Sequence, residues 1–170
     1  TIGESIPATQ GFAVRAGTLN GVDVTVNFTD AMRTTTSGTF RNDWYEHGLE
    51  VEVRGNGFAD KTFIAFGEDM TSLFDPLFEA YKFNSIQGQP TLYTNLKDDM
   101  QSINARNTNQ LGEILPLGLN AGADGIYTLT FSGMESFPQG GLLFLEDKAT
   151  NTWQDLTLND TYTFNALAED

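Results

Sequence analysis

Cysteine is absent from the chain of 170 residues, and histidine occurs once, as His47. Without cysteine the chain has no disulfide, no thiolate nucleophile and no cysteine-based zinc site. One histidine cannot form the cluster of imidazole ligands that holds most transition metals. Together these absences exclude enzymes with a cysteine nucleophile and enzymes with a transition metal held by cysteine or histidine.

Positive charge is also scarce, since 9 Lys and Arg residues face 23 Asp and Glu residues and the formal net charge is −14. A body this acidic repels phosphate backbones, so nucleic acid is not an expected partner. No apolar run approaches the roughly 18 residues that cross a bilayer, and we predict no membrane insertion. The first ten residues lack the basic start and apolar middle of a signal peptide. Because the first residue is Thr1 and not methionine, we expect a segment of a longer protein.

Apolar and aromatic residues are plentiful enough for a core. Hydrophobic residues make up 39% of the chain and phenylalanine alone occurs 13 times, whereas disordered acidic chains are poor in aromatics. The length is that of one ordinary domain. We therefore predict a single folded module over residues 1–170.

Apolar residues recur with a period of two in several segments, which indicates half-buried strands. Examples are 22–28, 49–53 and 127–131, and further strands are predicted at 11–16, 61–66, 101–105, 142–146 and 161–165. Turn signals such as Asn20-Gly21, Asn56-Gly57 and Asp124-Gly125 separate them. Many short strands with polar turns favour an antiparallel sandwich or barrel. We predict an all-β fold, an antiparallel β-sandwich of jelly-roll type with one short helix.

The predicted helix is the segment whose apolar residues have helical spacing, at Phe74, Leu77, Phe78 and Tyr81. Asp75 is placed as its N-cap, and Pro76 occupies the first helical position. Two turns are too few to be stable alone in water, so the helix is expected to dock on the sheet.

Two carboxylates raise the possibility of glycoside hydrolysis, because Glu50 and Glu52 lie on one face of a predicted strand, roughly 7 Å apart. Alternate charged residues on a strand usually mark its solvated face, and no third acid, tryptophan or histidine joins this pair at strand spacing. His47 follows an aromatic pair, but no serine or cysteine motif completes a triad. We predict that the chain is not an enzyme and keep a small β-sandwich glycoside hydrolase as the alternative.

Calcium is the metal that this composition favours, because it binds hard oxygen ligands and needs neither cysteine nor histidine. The candidate ligands are Asp75, Glu79, Asp98 and Asp99. Their spacing matches no EF-hand loop. The alternative interpretation is that Asp75 only caps the helix and that Asp98 and Asp99 are solvated.

Flat aromatic side chains predict a carbohydrate-binding surface, since the CH-rich face of a pyranose packs well on them. The candidates are Trp153, Trp44 and Tyr45. Trp153 lies in the polar segment Asn-Thr-Trp-Gln-Asp at 151–155, which favours an exposed position. Burial in the core is the alternative for each of the three.

Short phrases follow one another along nearly the whole chain, from Ile-Pro-Ala-Thr-Gln-Gly-Phe-Ala-Val at 6–14 and Phe-Thr-Asp-Ala-Met-Arg at 28–33 to Tyr-Thr-Phe at 162–164. Others lie at 74–82, 90–94, 102–104, 114–118, 125–129 and 145–148. In this order they resemble a β-sandwich module near the C-terminus of many secreted Bacteroidetes proteins. An upstream Gly-Asn-Pro segment, a closing strand starting Arg-Phe and the sorting tail, which usually accompany that module, are absent from this chain.

The resemblance implies a bacterial, secreted or cell-surface protein that is cargo of the type IX secretion system. Such modules occur in adhesins and in large polysaccharide-degrading or proteolytic enzymes, and the resemblance implies no catalytic residues. We therefore expect a non-catalytic accessory module for structural presentation, adhesion or glycan binding. Its expected partners are a surface glycan or the secretion apparatus.

Overall fold

Ten strands build the part of the chain that the computed structural model describes, which comprises residues 25, 27, 29, 45–139 and 141–168. They are β1 (His47–Gly55), β2 (Phe58–Gly67), β3 (Ala80–Tyr81), β4 (Thr91–Leu96), β5 (Asp99–Asn107), β6 (Leu117–Asn120), β7 (Gly125–Ser132), β8 (Phe144–Asp147), β9 (Thr152–Asp155) and β10 (Thr161–Ala166). The all-β prediction is confirmed. The strand predicted at 11–16, most of the one at 22–28 and the Asn20-Gly21 turn lie outside the described residues.

Eight of these strands form one large sheet in the order β10-β7-β1-β2-β5-β4-β6, with β3 also paired to β5. β8 and β9 form a separate two-stranded hairpin. The prediction of a purely antiparallel fold is wrong at one pair, because β2 and β5 run parallel. A parallel pair needs a long crossover connection, and here the chain between the two strands contains β3 and β4.

Buried apolar and outward charged side chains alternate along β1, as the sequence predicts. Leu49, Val51 and Val53 are buried, whereas Glu50 and Glu52 point to the opposite face. Asn56 and Gly57 connect β1 to β2 with φ angles of 53° and 81°. Two consecutive positive φ angles define the hairpin turn that matches the twist of antiparallel strands, so the Asn-Gly signal is confirmed.

The helix predicted at 74–81 is wrong. Asp75 does cap a turn, since its Oδ1 accepts a hydrogen bond from the Leu77 amide at 2.8 Å and its carbonyl accepts one from the Glu79 amide at 2.9 Å. The chain then enters β3, where Tyr81 pairs with β5. The apolar spacing has another cause, because the Phe74 and Tyr81 rings stack with centroids 4.2 Å apart.

Helical structure in the described ranges is limited to two short 3₁₀ helices, Thr108–Gln110 and Met134–Ser136. No described helix is long and apolar enough to span a membrane. The main hydrophobic core lies on one face of the large sheet, where Val51, Val53, Leu92 and Tyr127 are buried, and a smaller buried cluster of Ala65, Ala105 and Met70 packs apart from it. Leu145 of β8 and Leu156, which follows β9, pack on the main hydrophobic core and so fix the hairpin against the sheet.

Candidate functional site

The β8–β9 hairpin presents two aromatic side chains on one face. Its pairing places Glu146 opposite Trp153 and Phe144 opposite Asp155, and directly opposed residues share a face. We call these four residues the hairpin face. Trp153 is 58% exposed and Phe144 is 51% exposed. The hairpin face therefore combines two accessible aromatic rings with two carboxylates.

The opposite face of the hairpin is tied to the rest of the protein. The Tyr162 hydroxyl of β10 donates to Asp147 Oδ2 at 2.6 Å, and the Gln154 amide donates to the carbonyls of Asn159 and Thr161, both at 2.8 Å. The Tyr162 hydrogen bond holds the pKa of the Asp147 carboxyl below its ordinary value. These contacts fix the hairpin on β10 and leave the hairpin face outward.

The turn of the hairpin is also closed by side-chain bonds. Asp147 Oδ1 accepts from the amides of Ala149 at 2.8 Å and Thr150 at 3.2 Å. Asn151 follows with a φ angle of 54°, a conformation that asparagine adopts more readily than most residues. Because backbone and turn are both held, Trp153 is presented from a rigid element.

An open cavity of about 1210 Å³ adjoins the hairpin. Phe144 and Trp153 line it, together with the exposed side chains of Ile114 and Leu142. Leucine and phenylalanine are the commonest of its other described lining residues, and most of them come from the large sheet and its connections. The charged residues lining it in the described ranges are Glu113, Glu146, Asp147 and Lys148.

Tyr45 lies apart from the hairpin face and from the cavity beside it. Its ring meets Phe63 edge-to-face at 5.1 Å, and both line a shallow cavity of about 350 Å³ with Glu50 and Glu135. This cavity lies on the sheet face opposite the main hydrophobic core, and no described residue lines both cavities. Trp153 and Tyr45 are therefore not brought together, and Trp44 lies outside the described residues.

Glu50 and Glu52 do share a face, as the strand spacing predicts, but both are in ion pairs. Lys61 Nζ lies 2.6 Å from Glu50 Oε1 and 3.4 Å from Glu52 Oε2, and Arg54 also pairs with Glu52. The Arg54 hydrogen bond, followed by that of Lys61, lowers the pKa of Glu52. A general acid needs a raised pKa, whereas the pKa of Glu52 is lowered.

His47 has a structural contact. Its Nδ1 lies 2.5 Å from the Ser136 carbonyl oxygen, and its ring stacks on Phe137 with centroids 5.6 Å apart. The Ser136 hydroxyl instead bonds to the backbone of Gly48 and Gly133. A backbone carbonyl cannot act as a nucleophile, so this contact is not a catalytic His-Ser pair.

The four predicted calcium ligands lie in two turns. Glu79 Oε2 accepts from the Asp75 amide at 2.5 Å, and Asp98 and Asp99 lie where β4 turns into β5. Within the described ranges no three Asp, Glu or His side chains form a group that could hold a metal. Calcium binding stays a prediction. A melting midpoint that is higher in calcium than in chelator for the wild type, but equal in both for D98N/D99N, would support it.

Two members of the hairpin face, Glu146 and Phe144, were missed by sequence reasoning, whereas Asp155 belongs to the polar segment that the sequence places around Trp153. Glu146 lies in a predicted strand, but its position beside Trp153 depends on a register that only the pairing of β8 with β9 reveals. Phe144 was missed for the same reason. The signal that could have found them is the Asp-Lys-Ala-Thr-Asn segment at 147–151, which has turn composition between two short strands.

The model of a family described as "Domain of unknown function (DUF8693)" matches residues 1–170. No curated protein and no solved structure matches the chain.

Proposed function

The chain belongs to this family, whose description assigns no activity, and we propose that it is a non-catalytic module that binds glycan through the hairpin face. The observation that carries the proposal is the exposure of Trp153 and Phe144 beside two carboxylates on a rigid hairpin. The module acts within a larger bacterial protein that is secreted or displayed at the cell surface. We also propose that the whole module folds as a jelly-roll sandwich.

The hairpin face has the chemistry that a sugar requires. The CH-rich face of a pyranose stacks on a flat ring such as that of Trp153, and the hydroxyl groups at its edge donate to carboxylates such as Glu146 and Asp155. Contacts of this kind are weak. They correspond to dissociation constants from the millimolar to the micromolar range, or about −4 to −8 kcal/mol.

Two further observations support an accessory role at a surface. The phrases between 6–14 and 162–164 resemble modules of type IX secretion cargo. The strand carboxylates Glu50 and Glu52 are ion-paired with Lys61 and Arg54. A glycan-binding module of a secreted or cell-surface protein would attach that protein to a glycan surface. The secretion apparatus is a further partner that the resemblance implies.

Affinity electrophoresis in gels that contain neutral polysaccharides tests the proposal. Trp153→Ala is expected to remove the retardation shown by the wild type. Phe83→Ala is the matched control, because Phe83 is 57% exposed and does not line the cavity at the hairpin. Both variants are expected to keep the wild-type melting midpoint within a few degrees. Wild-type protein that binds no polysaccharide, or equal retardation of Trp153→Ala, would leave structural presentation as the role.

A further inference from the structure

We infer that the hairpin face selects its glycan by charge, binding amine-bearing sugars more tightly than neutral ones and neutral sugars more tightly than acidic ones. The inference rests on the proposed function, because it assumes that a sugar ring stacks on Trp153. It adds a substrate class that the exposure of an aromatic ring does not itself define.

The register of the hairpin decides which carboxylates lie beside Trp153. Glu146 is directly opposite Trp153, and the Cβ atoms of opposed residues are about 5 Å apart. Asp155 follows Trp153 by two residues on the same strand, which places it about 7 Å along the same face. A sugar stacked on Trp153 therefore has one carboxylate across the hairpin and another along the strand.

These two carboxylates are in no ion pair with a cation in the described part of the chain. Glu146 makes no ion pair there. Asp155 Oδ1 accepts hydrogen bonds from the amide of Thr157 at 2.9 Å and from its hydroxyl at 2.6 Å, which orients the group without cancelling its charge. This arrangement differs from Glu50 and Glu52, whose charges Lys61 and Arg54 offset.

The charged residues around the hairpin face are mostly acidic. Of the described charged residues that line the adjoining cavity, Glu113, Glu146 and Asp147 are acidic, and Lys148 in the hairpin turn is basic. The whole chain carries a formal charge of −14. A sugar carboxylate would approach like charges at short range, whereas a sugar ammonium would meet opposite ones.

Three β-1,4-linked glucan hexamers provide matched probes: cellohexaose, the hexamer of glucosamine, and cellohexaose oxidised to the carboxylate at C6. Titration calorimetry at low salt, at a pH where the amine is protonated, gives the three dissociation constants. We expect about a fivefold difference at each step of the order amine, neutral, acid. Added salt should bring the three values together, because screening weakens interactions between exposed charges.

Two charge-removing variants separate local recognition from general attraction to an acidic protein. E146Q/D155N is expected to reduce the difference in dissociation constant at each step to less than twofold. If this double variant has a lowered melting midpoint, Glu146→Gln alone replaces it and is expected to reduce the difference part of the way. E68Q/D69N removes the same charge at exposed residues away from the hairpin and should keep the preference. Equal effects of the two double variants would overturn the inference.

Different binding results would contradict charge selection and the proposed function. Binding that depends on Trp153 but shows no order, or the reverse order, contradicts charge selection alone. Binding of no hexamer, or binding that Trp153→Ala leaves intact, contradicts the platform itself.

Discussion

The side-chain amide of Asn56 donates a hydrogen bond to the Tyr127 hydroxyl at 2.9 Å. Tyr127 has no exposed surface, and its hydroxyl also lies 2.7 Å from the Ala123 carbonyl oxygen and contacts that of Ala121. The β1–β2 turn and the connection before β7 are thus joined through one buried hydroxyl group.

Removing that hydroxyl should destabilise the protein. In Tyr127→Phe the Ala121 carbonyl loses the hydroxyl as its donor, whereas the Ala123 carbonyl keeps the longer hydrogen bond from the Asn56 side-chain amide at 3.4 Å. A buried polar group without a partner costs about 1–3 kcal/mol. Urea unfolding is expected to show a loss of this size. Tyr162→Phe is the control, because its partner Asp147 can be hydrated instead. An equal loss in both variants would contradict the buried network.

Two glycines that lie under tyrosine rings should respond differently to alanine. A Cβ atom at Gly55 would lie 2.2 Å from Cδ1 of the buried Tyr127, whereas one at Gly118 would meet the outer ring atoms of the half-buried Tyr93 at 2.4 Å. Tyr93 can swing away, but Tyr127 is held at its hydroxyl. Gly55→Ala is expected to cost about 1–3 kcal/mol of unfolding free energy and Gly118→Ala clearly less. Equal midpoints in urea would argue against this difference.

The stability of the protein should fall as the pH rises above the ordinary carboxyl range, because of Glu79. This side chain is 4% exposed, and burial raises its pKa above 4.5 against the opposing hydrogen bond from the Asp75 amide. The charge of Asp75 raises the pKa further and that of Arg106 lowers it. The folded state therefore holds the Glu79 proton more tightly, and stability is lost as pH rises from 4.5 through the folded-state pKa.

Glu79→Gln should remove this loss, since the amide oxygen can still accept from Asp75 and no longer ionises. The measurement is the free energy of unfolding in urea across that pH range. Glu68→Gln is the control, because Glu68 is exposed. Parallel curves for wild type and Glu79→Gln would show that Glu79 does not set the slope.

The isolated chain is expected to hydrolyse neither polysaccharides nor peptides, because Lys61 and Arg54 hold Glu50 and Glu52 as ion-paired carboxylates. Reducing-end and peptide-release assays on a substrate panel measure this. Turnover that disappears in Glu50→Gln or Glu52→Gln would establish the hydrolase alternative. Glu135→Gln is an informative companion, since Glu135 shares the shallow cavity with Glu50.

Strands with one buried face could be read from the sequence, because burial imposes a period of two on β1, β7 and β10. β4 was missed since Thr91 and Thr94 are buried there among apolar residues, so polarity does not alternate. β9 is four residues of mostly polar character. The parallel partner of β2 is a long-range choice that no local pattern encodes.

The site was predictable only in part, for a related reason. The polar neighbours of Trp153 indicated exposure, and Trp153 is exposed. The carboxylate beside it comes from the other strand, and register decides which residue that is. The spacing of Phe74 and Tyr81 misled because stacked rings across a turn and one face of a helix can share the same intervals.

The order of strands in the large sheet also bears on how the chain reaches its folded form. β1 can close on β2 through the Asn56-Gly57 turn within microseconds, but its other neighbour, β7, and the parallel pairing of β2 with β5 come from far along the sequence. Such distant closures slow folding to the millisecond-to-second range typical of high contact order. During that interval the β1–β2 hairpin exposes Leu49, Val51 and Ile64 without cover, so refolding yield should fall with protein concentration.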